Sequence, residues 1–355
     1  MELNNIIGKF CLDSRISPYG NGHINDTYIV EPKRYILQRI NTSIFKNADE
    51  LMNNIEKVTE FLRKKIAEDG GDPSRETLTV IKTTDGKNLY KYDDNNCFRM
   101  YEFVEDTITI EVPENPEQLY KEAKGFASFQ KQLSSFPAET LYETIENFHN
   151  TPVRFENLKK AIAENKAGRL DSVKAEVEFA LAQENWISSV TDGLKDGSIP
   201  LRVTHNDTKI NNILFDAKTL DALCVIDLDT VMPGSMLYDF GDSLRIGAAT
   251  AAEDETDLDK VSFNIEAFEA FTKGYAEEMK GSLTEREIEL LPLSAKLLTY
   301  ECGIRFLTDY LEGDTYFKIH RENHNLDRAR TQFKLVKSID KQFDKMTEIV
   351  NKFFK

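Results

Sequence analysis

The chain has 355 residues, 40 % of them hydrophobic and 10 % aromatic, long enough for two cored lobes and too rich in apolar groups for a disordered polymer. Its 45 basic residues stand against 61 acidic ones, a net charge of −16, which removes counterion release as a driving force and sets nucleic acid and anionic membranes aside as partners. No run approaches the ~18 apolar residues of a membrane span, Met1-Glu2-Leu3-Asn4-Asn5 lacks a basic-then-apolar leader pattern, and Cys11, Cys97, Cys224 and Cys302 are too scattered for a disulfide framework or zinc site. A cytoplasmic protein with reduced thiols is expected.

In chain order, residues 16–40 read as a strand, a turn through Gly20-Asn21-Gly22-His23, and two more strands ending in Tyr35-Ile36-Leu37-Gln38-Arg39-Ile40. From Ala48 to Ala67, Leu51, Ile55, Val58 and Leu62 recur at helical spacing until Gly70-Gly71-Asp72-Pro73 breaks the pattern. Leu78–Ile81 and Asn88–Tyr92 flank Asp85-Gly86 and predict a hairpin, and Cys97–Val104 predicts a last strand. Beyond Pro113 the spacing predicts long helices over 116–135, 152–194, 257–279, 284–312 and 326–354, interrupted by one β-like region from Leu201 to Asp229. The expected fold is therefore α+β: residues 1–104 form a small antiparallel lobe with one main helix, and 105–355 a larger, mainly helical lobe.

The chemistry concentrates in Thr204-His205-Asn206-Asp207-Thr208-Lys209-Ile210-Asn211-Asn212 and Ile226-Asp227-Leu228-Asp229. Asp207 and Asn212 have the spacing of the kinase catalytic loop, H-x-D-x-x-x-x-N, and each acidic cluster follows an apolar strand. A kinase needs a carboxylate to accept the attacking hydroxyl's proton, and an amide oxygen with a second carboxylate to hold Mg²⁺ against ATP. Asp207 fits the first role; Asn212 and Asp227 fit the metal roles. Lys209 is placed to stabilise the transferring phosphoryl group. His205 reads as a structural residue shaping the loop, and His149 as incidental. Asp239 or Asp242 is expected either to accept loop N–H groups or to cap a helix.

Gly20 and Gly22 would let backbone approach phosphates, although a plain hairpin turn reads the same. A kinase-type small lobe also pairs a strand cation with a helix glutamate; Glu56 suits the acid, but the strand offers Gln38, and Arg39 faces the opposite way. On the late helix, Glu301, Arg305 and Asp309 share one stripe in an apolar run. For Glu301 and Asp309 an internal ion-pair ladder and acceptor recognition are equally good readings, while Arg305 is the better acceptor contact because its fork of donors suits a hydroxyl or amide oxygen.

Taken together, Tyr19–Asn25, Tyr35–Gln38, Asn41–Phe45, Thr204–Lys209, Ile226–Thr230, Met232–Met236 and Tyr310–Asp314 resemble the aminoglycoside phosphotransferase and choline kinase-like family, nearly end to end. The Leu228-Asp229-Thr230 and Tyr310-Leu311-Glu312-Gly313-Asp314 segments point to the branch that phosphorylates N-acetylhexosamines, which also carries Gln at the position of Gln38. The resemblance implies a protein-kinase-like bilobal fold and ATP with Mg²⁺ as cosubstrates. It implies a nucleotide-holding hinge at Glu102, Phe103 and Val104, and conversion of N-acetylglucosamine or N-acetylgalactosamine to the α-1-phosphate. Asp207 is then the base, Asn212 and Asp227 the metal ligands, and His23, Glu301, Arg305 and Tyr316 further acceptor contacts. Another hydroxyl acceptor of the same family (choline, homoserine, methylthioribose or an aminoglycoside) is the alternative, and a nucleotide-binding pseudokinase a remoter one.

Overall fold

A computed structural model describes residues 3–10, 15–20, 24–31 and 34–355. The chain divides into two compact units, and the one with the main sheet comprises Met1–Ile110, Gln132–Glu146 and Asn212–Pro233. It thus runs past Val104 and takes in two later segments. Its strands are β1 (Arg15–Pro18), β2 (Asp26–Glu31), β3 (Tyr35–Ile40), β4 (Val80–Ile81), β5 (Tyr90–Asp93) and β6 (Asn96–Glu102), paired antiparallel in the order β1-β2-β3-β6-β4 with β5 also on β6. A short N-terminal helix, α1 (Leu3–Ile7), buries Ile6 and Ile7 against Val30, Tyr35, Leu37, Phe98 and Met100 of the sheet. Five residues are too few to display a helical period, so the sequence carries no sign of it.

The helix expected from Ala48 is α2 (Ala48–Glu68), capped by Asn47, whose side chain accepts from Glu50 N. It buries Leu51, Ile55, Val58 and Leu62, each worth about 1.5–3 kcal/mol. The expected hairpin at Asp85-Gly86 is corrected. The turn exists, with Gly86 N donating to Thr83 O and Thr83 N to Lys87 O, but β4 and β5 pair successively with β6 rather than with each other. The long strand β6 offers both of them a partner edge. Past the sheet, β7 (Thr107–Ile108) pairs with β9 (Ile213–Asp216), and β9 with β10 (Ala222–Val225).

The other unit comprises Glu111–Lys131, Asn147–Asn211 and Gly234–Lys355. The helix expected over 152–194 is three: α4 (Thr151–Glu164), α5 (Lys174–Leu181) and α6 (Ser189–Asp196), following α3 (Pro116–Gln132). Asn165 ends α4 in the left-handed region at φ 40°, and its side chain accepts from Leu170 N, so turn chemistry overrides the apolar spacing. Trp186 falls in the turn before α6 rather than in a helix. Strand β8 (Arg202–Thr204) leads to the catalytic-loop motif, and α7 (Met236–Gly247) follows it.

Asn264 caps α8 (Ile265–Met279), which starts later than expected because 257–260 forms a separate single turn. The centre of the unit is α9 (Glu285–Glu312), which packs against α4, α7 and α10 (His324–Phe354) and is buried on several faces, from Leu290 through Tyr300 to Leu311. Thr284 and Glu287 close a capping box at its start, and Glu287 also grips Arg202 of β8 at 2.7 and 2.8 Å. Among the described residues no helix is long and apolar enough to cross a membrane.

Candidate active site

In the sheet-bearing unit, Asn212 immediately precedes β9 and Asp227 closely follows β10. Ile226 N donates to Asn212 O at 2.9 Å, and Val225 stands opposite Ile213, so the paired strands bring both candidate metal ligands to one end of the hairpin. Asp227 sits in the left-handed region, φ 57°, a conformation in which a non-glycine residue is held only by its surroundings. The donor set is hard oxygen, one carboxylate and one amide, which suits Mg²⁺ rather than a soft metal.

Gln38 has a buried charged partner across the ladder. Gln38 on β3 lies directly opposite Arg99 on β6, and the Arg99 Nε donates to Gln38 Oε1 at 2.9 Å while Gln38 Nε2 donates to Thr27 Oγ1 at 3.2 Å. Arg99 is 1 % exposed and forms an ion pair with Asp229 Oδ1, whose other oxygen accepts from Asn25 Nδ2 at 2.6 Å. Burial opposes the guanidinium's charge, but Asp229, Tyr101 and Asp227 more than offset it and raise its pKa. Arg39 points the other way, as the pleat requires, and pairs with Asp26.

Glu56 is engaged elsewhere, by Lys82 Nζ at 2.8 Å and Asn88 Nδ2 at 2.9 Å, so the expected partner of a β3 cation has its own cation. Gly20 adopts φ 74°, whereas Gly22 and His23 lie outside the described residues. Glu102 ends β6, Phe103 N donates to Arg34 O, and Val104 is buried, its carbonyl accepting from Thr107 Oγ1.

In the helical unit the loop carrying Asp207 hangs from α7. The Asp239 carboxylate accepts His205 N at 2.9 Å and Asn206 N at 2.7 Å, Asp242 accepts Thr208 N at 3.2 Å, and Thr208 Oγ1 donates to Asp239 O at 2.7 Å. Both acids therefore brace the loop, and the cap of α7 is Ser235 instead. Asn206 is held at φ 66°. His205 is fully buried against Phe126 and Phe129, and its Nδ1 accepts from Asp207 N at 3.3 Å, a structural role. Lys209 Nζ lies 3.1 Å from Asp207 Oδ1; desolvation works against its charge, but Asp207 and Asp242 outweigh it and raise its pKa.

Beside this loop stands a residue that sequence reasoning took for incidental. His149 is buried, with Nδ1 2.8 Å from Glu301 Oε1 and Nε2 3.3 Å from Asn206 O, and Thr151 Oγ1 donates to the other Glu301 oxygen at 2.6 Å. Both Glu301 oxygens are thus engaged inside the protein. Arg305, one turn further along α9, lies over the rings of Phe148 and Phe317 at 5.8 and 5.5 Å. Close by, Arg154 donates to Phe148 O, and its pKa is lowered by burial and by the Arg305 charge.

Among the described residues neither arginine forms an ion pair, and Arg154 Nε is buried without a hydrogen-bond partner. Asp309 is spent on its own loop, accepting from Thr315 N, Tyr316 N, Phe317 N and Asn325 Nδ2, which leaves the Tyr316 ring exposed. Arg99, Asn25, His149 and Arg154 were all missed from sequence. Arg99 alone had a signal there, a charge in the middle of an apolar strand.

An antiparallel sheet unit with one main helix, a helical unit, and an Asp loop followed by a second acidic loop define a kinase-like phosphotransferase of the α+β class. Residues 15–271 match the phosphotransferase enzyme family, and the chain belongs to it, the family of the aminoglycoside phosphotransferases and choline kinase-like enzymes. In fold it is similar to a microcompartment-associated aminopropanol kinase, at 15 % identity over 97 % of this chain and 98 % of that one with a TM-score of 0.65. An aminoglycoside phosphotransferase from Alicyclobacillus acidocaldarius matches at 11 % identity over 98 % and 95 %, TM-score 0.59. A spectinomycin phosphotransferase, solved with ADP and spectinomycin, matches at 13 % over 93 % of each chain, TM-score 0.54.

Proposed function

We propose that this small-molecule phosphotransferase uses ATP and Mg²⁺ to phosphorylate the anomeric hydroxyl of N-acetylglucosamine and N-acetylgalactosamine, giving the α-1-phosphates. Asp207 accepts the proton of the sugar O1 as the O1–phosphorus bond forms and the bond from the γ-phosphorus to ADP breaks. No bond at the sugar carbon is broken, so the configuration of the bound anomer is retained. Lys209 orients Asp207 and offers positive charge to the transferring group. Asn212 and Asp227 are the residues that would hold Mg²⁺, which when bound neutralises phosphate charge. Gly20 and Gly22, Gln38 and the Glu102–Val104 segment belong to the nucleotide side of this reading, with Glu56 acting there through Lys82. On the sugar side, Arg305, Tyr316 and His23 are contacts, and Glu301 positions His149 rather than touching the acceptor.

The observation that carries the acceptor assignment is the pair Arg154 and Arg305. Two guanidinium groups that form no ion pair among the described residues, next to the elements that hold Asp207, disfavour an ammonium-bearing acceptor such as choline, homoserine or an aminoglycoside. The Arg305 donor fork over the rings of Phe148 and Phe317 instead suits hydroxyl and acetamido oxygens set against an apolar face. The second reading, an amino alcohol or aminoglycoside acceptor, draws on the names of the fold neighbours. Phosphorus and proton NMR of reactions with ATP, Mg²⁺ and a panel of sugars and amino alcohols separates them. An α-1-phosphate of an N-acetylhexosamine is the expected product; a 6-phosphate, or preference for an amino alcohol, would refute the assignment. Nucleotide binding without turnover of any acceptor would favour a pseudokinase.

A further inference from the structure

Three observations in the sheet-bearing unit converge on one residue. The strand position where a kinase-type lobe carries its cation holds Gln38, and Glu56 is already matched by Lys82. Directly across the ladder from Gln38, Arg99 is buried between Phe98 and Met100, donating Nε to Gln38 and paired with Asp229. Asp229 lies two residues after Asp227, in the single turn of helix for which Asp227 is the strained cap. Its second oxygen is fixed by Asn25 Nδ2, and Asn25 Oδ1 accepts Asn41 N at 2.9 Å.

We infer that the cation has moved one strand over: Arg99 is the positioning residue that, through Asp229, holds the Asp227 turn for metal-linked nucleotide binding. The residue types follow from this placement. A lysine at position 38 would put a second cation beside a buried guanidinium, whereas glutamine turns its carbonyl to Arg99 and its amide to Thr27, leaving both ends satisfied. Arginine rather than lysine is needed at 99 because Nε and Nη1 serve two acceptors, Gln38 and Asp229, in a fixed fork. Asp229 in turn is held through both its oxygens, one by Arg99 and one by Asn25.

The inference rests on the reading of Asp227 as a metal ligand, and the test separates the two. ADP affinity is measured by calorimetry on the whole protein, with and without Mg²⁺, for wild type, Asp227→Ala, and the neutral pair Arg99→Gln with Asp229→Asn, which removes both charges while leaving polar groups at both positions. The neutral pair is expected to lose about tenfold or more of the Mg²⁺-dependent affinity, as supporting residues of metal ligands do, while metal-free ADP affinity stays within about twofold. If the pair variant does not fold, Arg99→Lys, which keeps the charge but breaks the fork, is expected to show the same selective loss at smaller amplitude. Equal losses with and without Mg²⁺, or no loss, would overturn the positioning role. No loss in Asp227→Ala would overturn the metal reading itself.

Discussion

Replacing Asp239 by asparagine isolates what the α7 carboxylate does for the catalytic loop. One oxygen accepts His205 N at 2.9 Å and Gln130 Nε2 at 2.7 Å, and the other accepts Asn206 N at 2.7 Å. An amide has a single acceptor oxygen, so its better rotamer keeps the first two bonds and turns an NH₂ group on the Asn206 N–H. An unsatisfied buried donor costs about 1–3 kcal/mol, and each retained bond loses charge assistance of about 1 kcal/mol. Relief of a buried charge offsets part of this, since burial already pushes the Asp239 carboxyl up. The net cost is then about 2–4 kcal/mol, less than the ~5–15 kcal/mol of a typical domain, so the variant folds.

The loss falls on Asn206, whose positive φ needs support and which adjoins Asp207. At 1.36 kcal/mol per tenfold, a distortion expressing most of that cost at the loop lowers kcat by about 10²-fold. Urea denaturation followed by the fluorescence of Trp186 gives the stability, and ATP turnover gives kcat. A stability loss of the expected size with kcat within about threefold of wild type would show that the brace serves folding alone and refute its link to Asp207.

Asp207→Asn is expected to lower turnover by about 10²–10⁴-fold with ADP affinity unchanged; near-normal turnover would remove the base. Asp227→Ala should raise the Mg²⁺ requirement more than Asn212→Ala, because a carboxylate binds the ion better than an amide, and identical Mg²⁺ titrations for wild type and Asp227→Ala would speak against the ligand role. Arg305→Ala should raise the sugar KM while Lys209→Ala mainly lowers kcat, and the reverse pattern would exchange their roles. Glu122 in α3 is buried, one of its oxygens without a hydrogen-bond partner among the described residues, and burial with the Asp242 charge raises its pKa well above the ordinary 4.5. A raised folded-state pKa contributes stability that is fully present below 4.5 and lost as pH rises through the folded value. Glu122→Gln should therefore raise Tm at pH 8 and not at pH 4; equal gains at both would mean that folding does not raise the Glu122 pKa.

Much of the fold was legible because its elements announce themselves locally. The stripe Leu51, Ile55, Val58, Leu62 defines α2 to within a residue of its observed end, and the spacing over 284–312 matches α9 (Glu285–Glu312) equally closely. What failed was the reading of interruptions. Asn165 in the left-handed region splits the helix expected over 152–194, and a two-residue β4 pairs with β6 where Asp85-Gly86 suggested a hairpin. In both cases local chemistry permits two outcomes, and tertiary partners choose between them.

The site divides along the same line. Asp207, Lys209, Asn212 and Asp227 stand out as candidates because their spacing within one loop and one strand end is itself the signal. His149 and Arg154 lie roughly 150 residues before Glu301 and Arg305 on α9, and nothing in either stretch refers to the other. The pair Gln38 and Arg99 makes the point most sharply: read along the chain, Gln38 is a deficit, since the cation it should be is absent and its neighbour Arg39 faces the wrong way. Read across the ladder, it is the polar complement of a buried arginine 61 positions away. Antiparallel register, not sequence order, decides which side chains share a face, so a charge absent from one strand can stand on its neighbour.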